Sequence, residues 1–559
     1  MSAADEHRNI EIQWRAGRSL EQGKYPGFKP CVNVEDGVVI ERDVAVPMRD
    51  GVTIYTDIYR ADGEGDLPAI IAWSPYGKHQ TGPDVFDRYP NRTCVPQGVP
   101  SNWAKFEAPD PAYWCRHGYA VINPDTRGAW MSDGDLYTIG GKEAEDMHDL
   151  IEWLAVQPWC NGKVGMSGNS WLAQCQWFAA AARPPHLAAI APWEGWSDLY
   201  RENVALGGIL TEPTNWIDFV WSGLLHSRTR VEDCPGMASK YPLWNEYWDE
   251  KQAKHSQSNV PAYVVASWNS RLHSRGSFEG FKQLGSKHKW LRVHDGWEWP
   301  DYYTSENVED LRRFFDRFLK GMDNGWEKTP RVRLAIMDAP TSGPSTTYRE
   351  ETDWPLARTR HEPLYLDAAT GRMSPSPVAT EAQLAYHATE GRAAFEFTFD
   401  ADTELTGHMS LRLWVEARGA DDMDLFVVAQ KIGADGRRVD FRVYGIGWVA
   451  EPARGFLRAS QRELDRERST PGQPWHTHRR EQLLSPGEIV PVDIEFWPMG
   501  CRWRAGETIR VLVAGRPLLH VGDPVTGEPL RSSRNQGKHV IWTGGGFDSH
   551  LLIPRTPSR

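Results

Sequence analysis

The segment KVGMSGNSWLA, residues 163 to 173, runs from a short apolar stretch through glycines into an apolar helical pattern, with Ser170 at the corner. A serine on such a strand-to-helix turn is lifted clear of the sheet edge. The next backbone N–H, here that of Trp171, then points at the oxyanion formed when the serine attacks a carbonyl. The usual spacing is Gly-x-Ser-x-Gly, and the chain departs from it. Gly168, Asn169, Ser170 and Trp171 are followed by Leu172 and Ala173, so a methyl stands where close helix packing favours glycine. The related pattern Gly-x-Ser-Tyr-x-Gly would put its last small residue at Ala173. A second frame, Gly165-Met166-Ser167-Gly168, sets its serine inside the approach to the turn. The bland alternative makes Ser170 a helix N-cap.

A nucleophile needs a sheet beneath it and loops that bring partners. Short apolar, β-branched runs bounded by Pro, Gly and Asp predict eight strands, at 38–46, 52–59, 69–73, 119–123, 163–166, 187–191, 262–267 and 290–294. Helical patterns alternate with several of them. Before the fifth, Met147, Leu150, Ile151, Leu154 and Ala155 recur on one face of a helix whose other face is acidic. After Ser170, WLAQCQWFAAAARPP reads as a helix broken by Pro184 and Pro185. The alternation predicts an α/β fold with a mostly parallel sheet covered on both faces. From Trp193 to about Ser256, helix-like segments crowded with Trp, Tyr, Leu and acids predict a helical insertion over the sheet. Its Trp196, Trp216, Phe219 and Trp221 are candidate walls of a substrate pocket. From about Arg331, alternating runs separated by turns predict a β-sandwich or jelly roll.

Composition narrows the function. The chain has 559 residues, 40% of them hydrophobic and 25% charged, which fits two or three folded domains. Its formal charge is −12 and its Lys and Arg are scattered, which excludes the basic patch a phosphate backbone requires, so no nucleic-acid partner is expected. The opening MSAADEHRN is acidic where a signal peptide is basic, and no long apolar stretch occurs. The expectation is a soluble, cytoplasmic protein without membrane association. Seven cysteines, odd in number and without a CxxC pair, predict free thiols. The 27 tryptophans suit an apolar pocket built from rigid rings. No Walker loop occurs and no GxGxxG follows a predicted strand, so phosphoryl transfer and dinucleotide chemistry have no support. His476 and His478, and the acids Asp421, Asp422 and Asp424, are read as solvated loops of the sandwich. Neither a metal nor a cofactor is expected.

Matching segments then extend nearly end to end, among them MRDGVTIYTDIYR, IAWSPYGKH, DTRGAWMSDGD, EAEDMHDLIEWLAVQPWCNGKVGMSGNSW and LRRFFDRFLKGMDNG. The chain resembles the serine hydrolases that include cocaine esterase, α-amino-acid ester hydrolase, glutaryl acylase and X-prolyl dipeptidyl-peptidase. The resemblance implies an α/β-hydrolase domain over 1–192 and 257–330, an inserted helical cap over 193–256, and a C-terminal jelly-roll β-sandwich over 331–559. It also implies hydrolysis of esters or amides through an acyl-enzyme, without a cofactor. The family's PYG tyrosine, which gives its hydroxyl to the oxyanion, matches Tyr76; Tyr76 and the Trp171 N–H are the expected oxyanion pair. In DTRG, Asp125 and Arg127 are read as a structural ion pair.

The rest of the triad departs from the family. Its acid after the seventh strand and its histidine after the eighth face SWNSRLHSRG and RVHDGWEWPD here. Asn269 and Ser270 stand where the acid is expected, and Glu298 where the histidine is. An exchanged triad fits what remains: Ser170 as nucleophile, His273 as base, Glu298 orienting the imidazole, since triads are defined by geometry and not chain order. The rival is His294 with Asp295 or Asp301. Glu194 and Asp198 are further acids, read as the entrance to the cap. The expected activity is therefore cleavage of a small-molecule ester or amide, with the sandwich able to support a homo-oligomer. A pseudo-hydrolase with an inert Ser170, an acyltransferase and a carbon–carbon bond hydrolase stay open.

Overall fold

Among the described residues, apolar runs of the first part of the chain pair edge to edge into one sheet of 11 strands. The structure is a computed structural model and describes residues 10–63, 65–211, 225–339, 348–447, 449–518 and 533–558. The strands are β1 (Cys31–Glu35), β2 (Val38–Pro47), β3 (Thr53–Ala61), β4 (Leu67–Ile71), β5 (Ala120–Asp125), β6 (Cys160–Asn169), β7 (Leu187–Trp193), β8 (Ala262–Ser267), β9 (Lys289–His294), β10 (Val332–Leu334) and β11 (Arg349–Glu351). They lie in the order β11-β10-β9-β8-β7-β6-β4-β5-β3-β2-β1.

Each of the eight expected strands is present. The additional ones lie at the two ends of the sheet: β1 is exposed along its length, and β10 and β11 have three residues each. Both short strands come from the stretch read as the start of the sandwich, yet they extend this sheet, and the second sheet begins only at Arg360.

Strands from β5 across to β10 pair in parallel. Parallel pairing needs crossovers, and helices supply them. They are α1 (Gly141–Ala155), α2 (Trp171–Ala182), α3 (Ser274–Gln283), α4 (Glu298–Tyr303) and α5 (Ser305–Leu319). On α1 the predicted face is buried at Met147, Leu150, Ile151 and Leu154. Register decides what emerges at the strand ends. Asn169 is level with Trp193, and Ser267 with His294, so Ser170, Glu194, the chain from Trp268 and the chain from Asp295 all leave one edge of the sheet.

Between 193 and 256 the described residues hold short elements rather than long helices: a π-helical turn Tyr200–Val204, helices Cys234–Lys240 and Glu246–Glu250, and a strand Arg230–Glu232 paired with Trp14–Ala16. The reason is local. Gly207 and Gly208 turn the chain at φ 56° and 84°, and Pro242 follows a helix end. Three of the four pocket candidates, Trp216, Phe219 and Trp221, lie outside the described residues.

The described residues of the C-terminal part form a second sheet of 11 strands. Its long strand Thr403–Arg418 pairs with both Val490–Trp503 and His550–Arg555, so the sheet folds back and closes on itself. It also grips the first unit. Arg275 on α3 reaches Glu495 at 3.1 Å, Gln473 donates to Glu279 at 2.7 Å, and Lys282 donates to Gln473 at 2.5 Å. No helix among the described residues is long and apolar enough to cross a membrane, and all seven cysteines are free thiols.

Candidate active site

Ser170 sits between β6 and α2 at φ 52°, ψ −118°, a conformation L-residues rarely adopt. Backbone bonds hold it there. The Ser170 N–H donates to the Glu194 carbonyl at 3.0 Å, and the Asn169 N–H to the Glu107 carbonyl at 3.1 Å. Glu194 and Glu107 are themselves left-handed, at φ 58° and 64°. The elbow thus rests on two other constrained residues. Gly168, at φ 136°, is required as well, because a Cβ there would stand 2.5 Å from Leu172 Cβ and 2.8 Å from the Glu107 carbonyl.

Tyr76 leaves the end of β4 and is 3% exposed. Its hydroxyl lies within hydrogen-bonding reach of the Ser170 side chain and of the Trp171 N–H. Two features fix its loop. The buried Lys105 donates to the carbonyls of Ala72, Ser74 and Pro124 at 3.3, 2.8 and 2.7 Å, and Gly77 at φ 97° presses on Trp130, whose Nε1 a Cβ would meet at 2.0 Å. Burial pushes the Tyr76 hydroxyl well above its ordinary pKa, so it is a neutral donor.

His273 and Glu298 come together: Nε2 lies 3.6 Å from Glu298 Oε2, and both residues are buried. His273 comes from the turn after β8, where its N–H donates to Ser270 Oγ at 3.1 Å, and Glu298 opens α4. Neither ring nitrogen of His273 has a hydrogen-bond partner. His294 differs at Nδ1, while its Nε2 lies beside carboxyl groups without a hydrogen bond. Its Nδ1 accepts the Gly296 N–H at 3.2 Å and its Nε2 faces Glu194 Oε1 at 2.7 Å and Asp301 Oδ2 at 3.4 Å. The acids at the His294 ring are thus Glu194 and Asp301, and not Asp295. Asn269 donates to the Asp295 carbonyl at 2.7 Å.

Three buried glutamates surround this geometry. Burial, reinforced by Glu194 and Glu107, pushes Glu298 well above the usual carboxylate range. Burial pushes Glu107 to about 8 against hydrogen bonds from Trp299 and Tyr76. It also raises Glu194, which His294 opposes. His273 is driven down to about 3 by burial. For His294, burial works against the charged form, but Asp301 and Glu194 outweigh it and raise the pKa. One half of the site therefore holds neutral groups, and the other a charged network anchored by Arg292 on Asp301 at 2.5 Å.

The arrangement can support attack by a serine hydroxyl under a tyrosine and a backbone N–H, and the comparisons agree. Residues 50–233 match the X-Pro dipeptidyl-peptidase (S15) family, and residues 324–552 match the X-Pro dipeptidyl-peptidase C-terminal non-catalytic domain. A CocE/NonD family hydrolase from Staphylococcus aureus is 34% identical, covers 100% of both chains and superposes with a TM-score of 0.88. The chain belongs to the cocaine-esterase and X-Pro dipeptidyl-peptidase family of serine hydrolases. Within it, cocaine esterase of Rhodococcus sp. (strain MB1 Bresler) is 30% identical over 391 residues, 60% of this chain and 63% of that protein, so the match spans less than two thirds of its length. An α-amino acid ester hydrolase structure shares the fold, at 17% identity and a TM-score of 0.70 over 94% of this chain.

Family motifs did not reveal Glu107, which lies in the loop KFEAPDP without a recognisable spacing. Glu194, read as the cap entrance, instead holds His294. Asp125 and Arg127 do not pair with each other: Arg127 binds Asp146 at 2.6 Å and Asp50 at 3.0 Å, while Asp125 accepts the Lys78 N–H at 2.7 Å. Two sandwich clusters read as solvated are in part buried. Asp424 pairs with Arg458 at 2.7 Å, Asp422 accepts from Ser460 at 2.7 Å, and His476 and His478 are under 7% exposed. Trp196 is buried, its backbone against Gly276 of α3.

Proposed function

We propose that this chain is a serine hydrolase that cleaves a small-molecule ester or amide through an acyl-enzyme on Ser170. The observation that carries the reading is the Tyr76 hydroxyl, within reach of both the Ser170 side chain and the Trp171 N–H. The tyrosine and the N–H would together hold the oxyanion, worth on the order of 3 kcal/mol per donor in a preorganised site.

His273 is the proposed base: Nδ1 of His294 is taken by the Gly296 N–H and its Nε2 lies against Glu194 and Asp301, whereas Nδ1 of His273 has no hydrogen-bond partner. With Glu298 beside Nε2, the lone pair on Nδ1 takes the Ser170 proton as Oγ bonds to the carbonyl carbon. The imidazolium then protonates the leaving alcohol or amine. Water, deprotonated by the same imidazole, attacks the acyl-enzyme and releases the acid. Glu298 must be ionised to accept from Nε2–H, and its raised pKa sets the working form at a higher pH than an ordinary carboxylate would. The division into hydrolase domain (1–192 and 257–330), cap (193–256) and jelly roll (331–559) belongs to the same reading, with the pocket between sheet edge and cap.

The test is intact mass after exposure to a fluorophosphonate, comparing wild type with Ser170→Ala, His273→Ala and His294→Ala. Stoichiometric labelling that is lost in Ser170→Ala and His273→Ala and kept in His294→Ala is expected. Loss with His294→Ala in place of His273→Ala would return the base to the family's usual loop. An unlabelled wild type would make the chain a binding protein on a hydrolase fold.

A further inference from the structure

We propose that Lys105 is a positioning residue for the oxyanion tyrosine: with the short segment around it, it fastens the loop that carries Tyr76 and the elbow that carries Ser170 into one unit. The inference rests on the roles of Ser170 and Tyr76 proposed above.

Tyr76 lies near the middle of a loop that leaves β4 at Ala72 and reaches Gly82, and residues 104–106 hold that loop on both sides of it. On the near side, Lys105 Nζ donates to the carbonyls of Ala72 and Ser74 at 3.3 and 2.8 Å, and to that of Pro124 in β5 at 2.7 Å. On the far side, the Phe106 N–H donates to the Gln80 carbonyl at 2.9 Å and the Gly82 N–H to the Ala104 carbonyl at 2.8 Å. The next residue reaches the nucleophile. The Glu107 carbonyl accepts the Asn169 N–H at 3.1 Å, one residue before Ser170, and Gly168 leaves the room for that approach. Tyr76 and Ser170 follow two different strands, β4 and β6, and this one segment is bonded beside both.

The donor count explains why the residue is a lysine. An ammonium carries three N–H groups and no acceptor, and three carbonyls converge on it here. Lys78, on the Tyr76 loop itself, is used differently: its ammonium pairs with Asp43 and Asp57. Lys105 is fully buried and gives its bonds to backbone. Burial pulls its ammonium down to about 7, and the carbonyls favour the charged form against that cost. An apolar side chain in its place would leave the near side of the loop without these donors while the far side stays bonded, so Tyr76 could shift relative to Ser170. A displacement of about 1 Å in a catalytic group can cost on the order of 100-fold in rate. Lys105 exchanges no proton with the substrate in this role; it sets where the Tyr76 hydroxyl stands.

The experiment is a double-mutant cycle read by steady-state kinetics on a p-nitrophenyl ester, in wild type, Lys105→Met, Tyr76→Phe and the double variant, with near-UV circular dichroism to establish that each is folded. Lys105→Met should lower kcat by about tenfold to 100-fold with KM kept within about threefold. In the Tyr76→Phe background the same substitution should cost less than about threefold, because the hydroxyl it positions is gone. Equal losses in the two backgrounds would make Lys105 a structural residue and overturn the proposal. A folded Lys105→Met at the wild-type kcat, or a loss carried by KM, overturns it as well. Should Lys105→Met not fold, Lys105→Gln, which keeps two N–H groups, goes through the same cycle; a loss in kcat confined to the background that has Tyr76 is expected, and an equal loss in both or none in either overturns the proposal. Fluorophosphonate labelling keeps the two readings apart. A wild type that is not labelled fails the reading of Ser170, and Tyr76→Phe at the wild-type kcat fails that of Tyr76; either takes this inference with it, whereas additivity in a labelled, Tyr76-dependent enzyme overturns this inference alone.

Discussion

The Ala173 methyl fills the space that Gly195 leaves open. A Cβ on Gly195 would stand 2.9 Å from Ala173 Cβ and 2.8 Å from the Gln174 N. The glycine that the usual elbow spacing keeps on the helix is found here on the neighbouring chain, just beyond β7. Gly195→Ala should therefore destabilise the protein by about 1–3 kcal/mol through overpacking, and Ala173→Gly in the same chain should return part of that loss. Urea denaturation of the two single variants and the double variant measures the coupling. Strictly additive effects would show that the two positions do not compete for one space.

Tyr76→Phe removes a hydroxyl and keeps the ring packed 5.5 Å from Phe106 and 6.2 Å from Trp171. The expected outcome is a fall of roughly 100-fold to 1000-fold in kcat with little change in KM, because the bond strengthens only as charge develops. Steady-state kinetics on a p-nitrophenyl ester read this directly. A rise in KM with kcat unchanged would make Tyr76 a ground-state contact.

Burial holds Glu143 at about 8, well above its unfolded value, with Trp73 Nε1 donating to it at 3.3 Å. Between about 4.5 and 8 the folded chain therefore binds a proton at this carboxyl that the unfolded chain has lost. Its contribution to stability is complete below that window and is lost as pH rises through it. Wild type should thus lose more stability between pH 6 and pH 9 than Glu143→Gln, by a few kcal/mol in order of magnitude. Thermal unfolding of both proteins across that range checks the sign. Parallel curves would place an ionised Glu143 in the fold.

Arg275 is 3% exposed and joins Glu202 at 2.8 Å to Glu495 at 3.1 Å. Arg275→Met should cost about 3–5 kcal/mol, because it leaves buried carboxyls without their cation. Glu202→Gln added to it should recover part of the loss. Guanidinium unfolding of the two variants gives the difference, and no recovery would assign the cost to packing against Trp475.

Much of the first sheet was legible because its strands are short apolar runs set off by turn residues, and because α1 shows one clean apolar face. The corner at Ser170 was legible for the same reason: glycines and an apolar helix bracket it. The short strands β10 and β11 were not, since three residues carry no period. In the segment from Trp193 the described helices are short, because glycines and prolines interrupt the aromatic and acidic residues at helical spacing. Pairing His273 with Glu298 needed only the absence of the usual residues and the knowledge that the two loops share a sheet edge. Asp125 and Arg127 show the converse. Nearness in sequence suggested a pair, while the turn sends each to a different partner. Glu107 was out of reach because its place depends on a backbone bond to Asn169 across the sheet edge, and no local pattern encodes that.

The bonds from α3 to the second sheet bear on how such proteins can be recombined. Helix α3 begins at Ser274, directly after His273, and is held at Arg275, Glu279 and Lys282 by Glu495 and Gln473. The turn that delivers the imidazole therefore takes its footing from residues some two hundred positions downstream. A chimera that joined this sheet to a relative's C-terminal half would inherit the serine and its tyrosine intact but not the footing of His273. The two halves are separate in architecture, yet they can be exchanged only as a matched set.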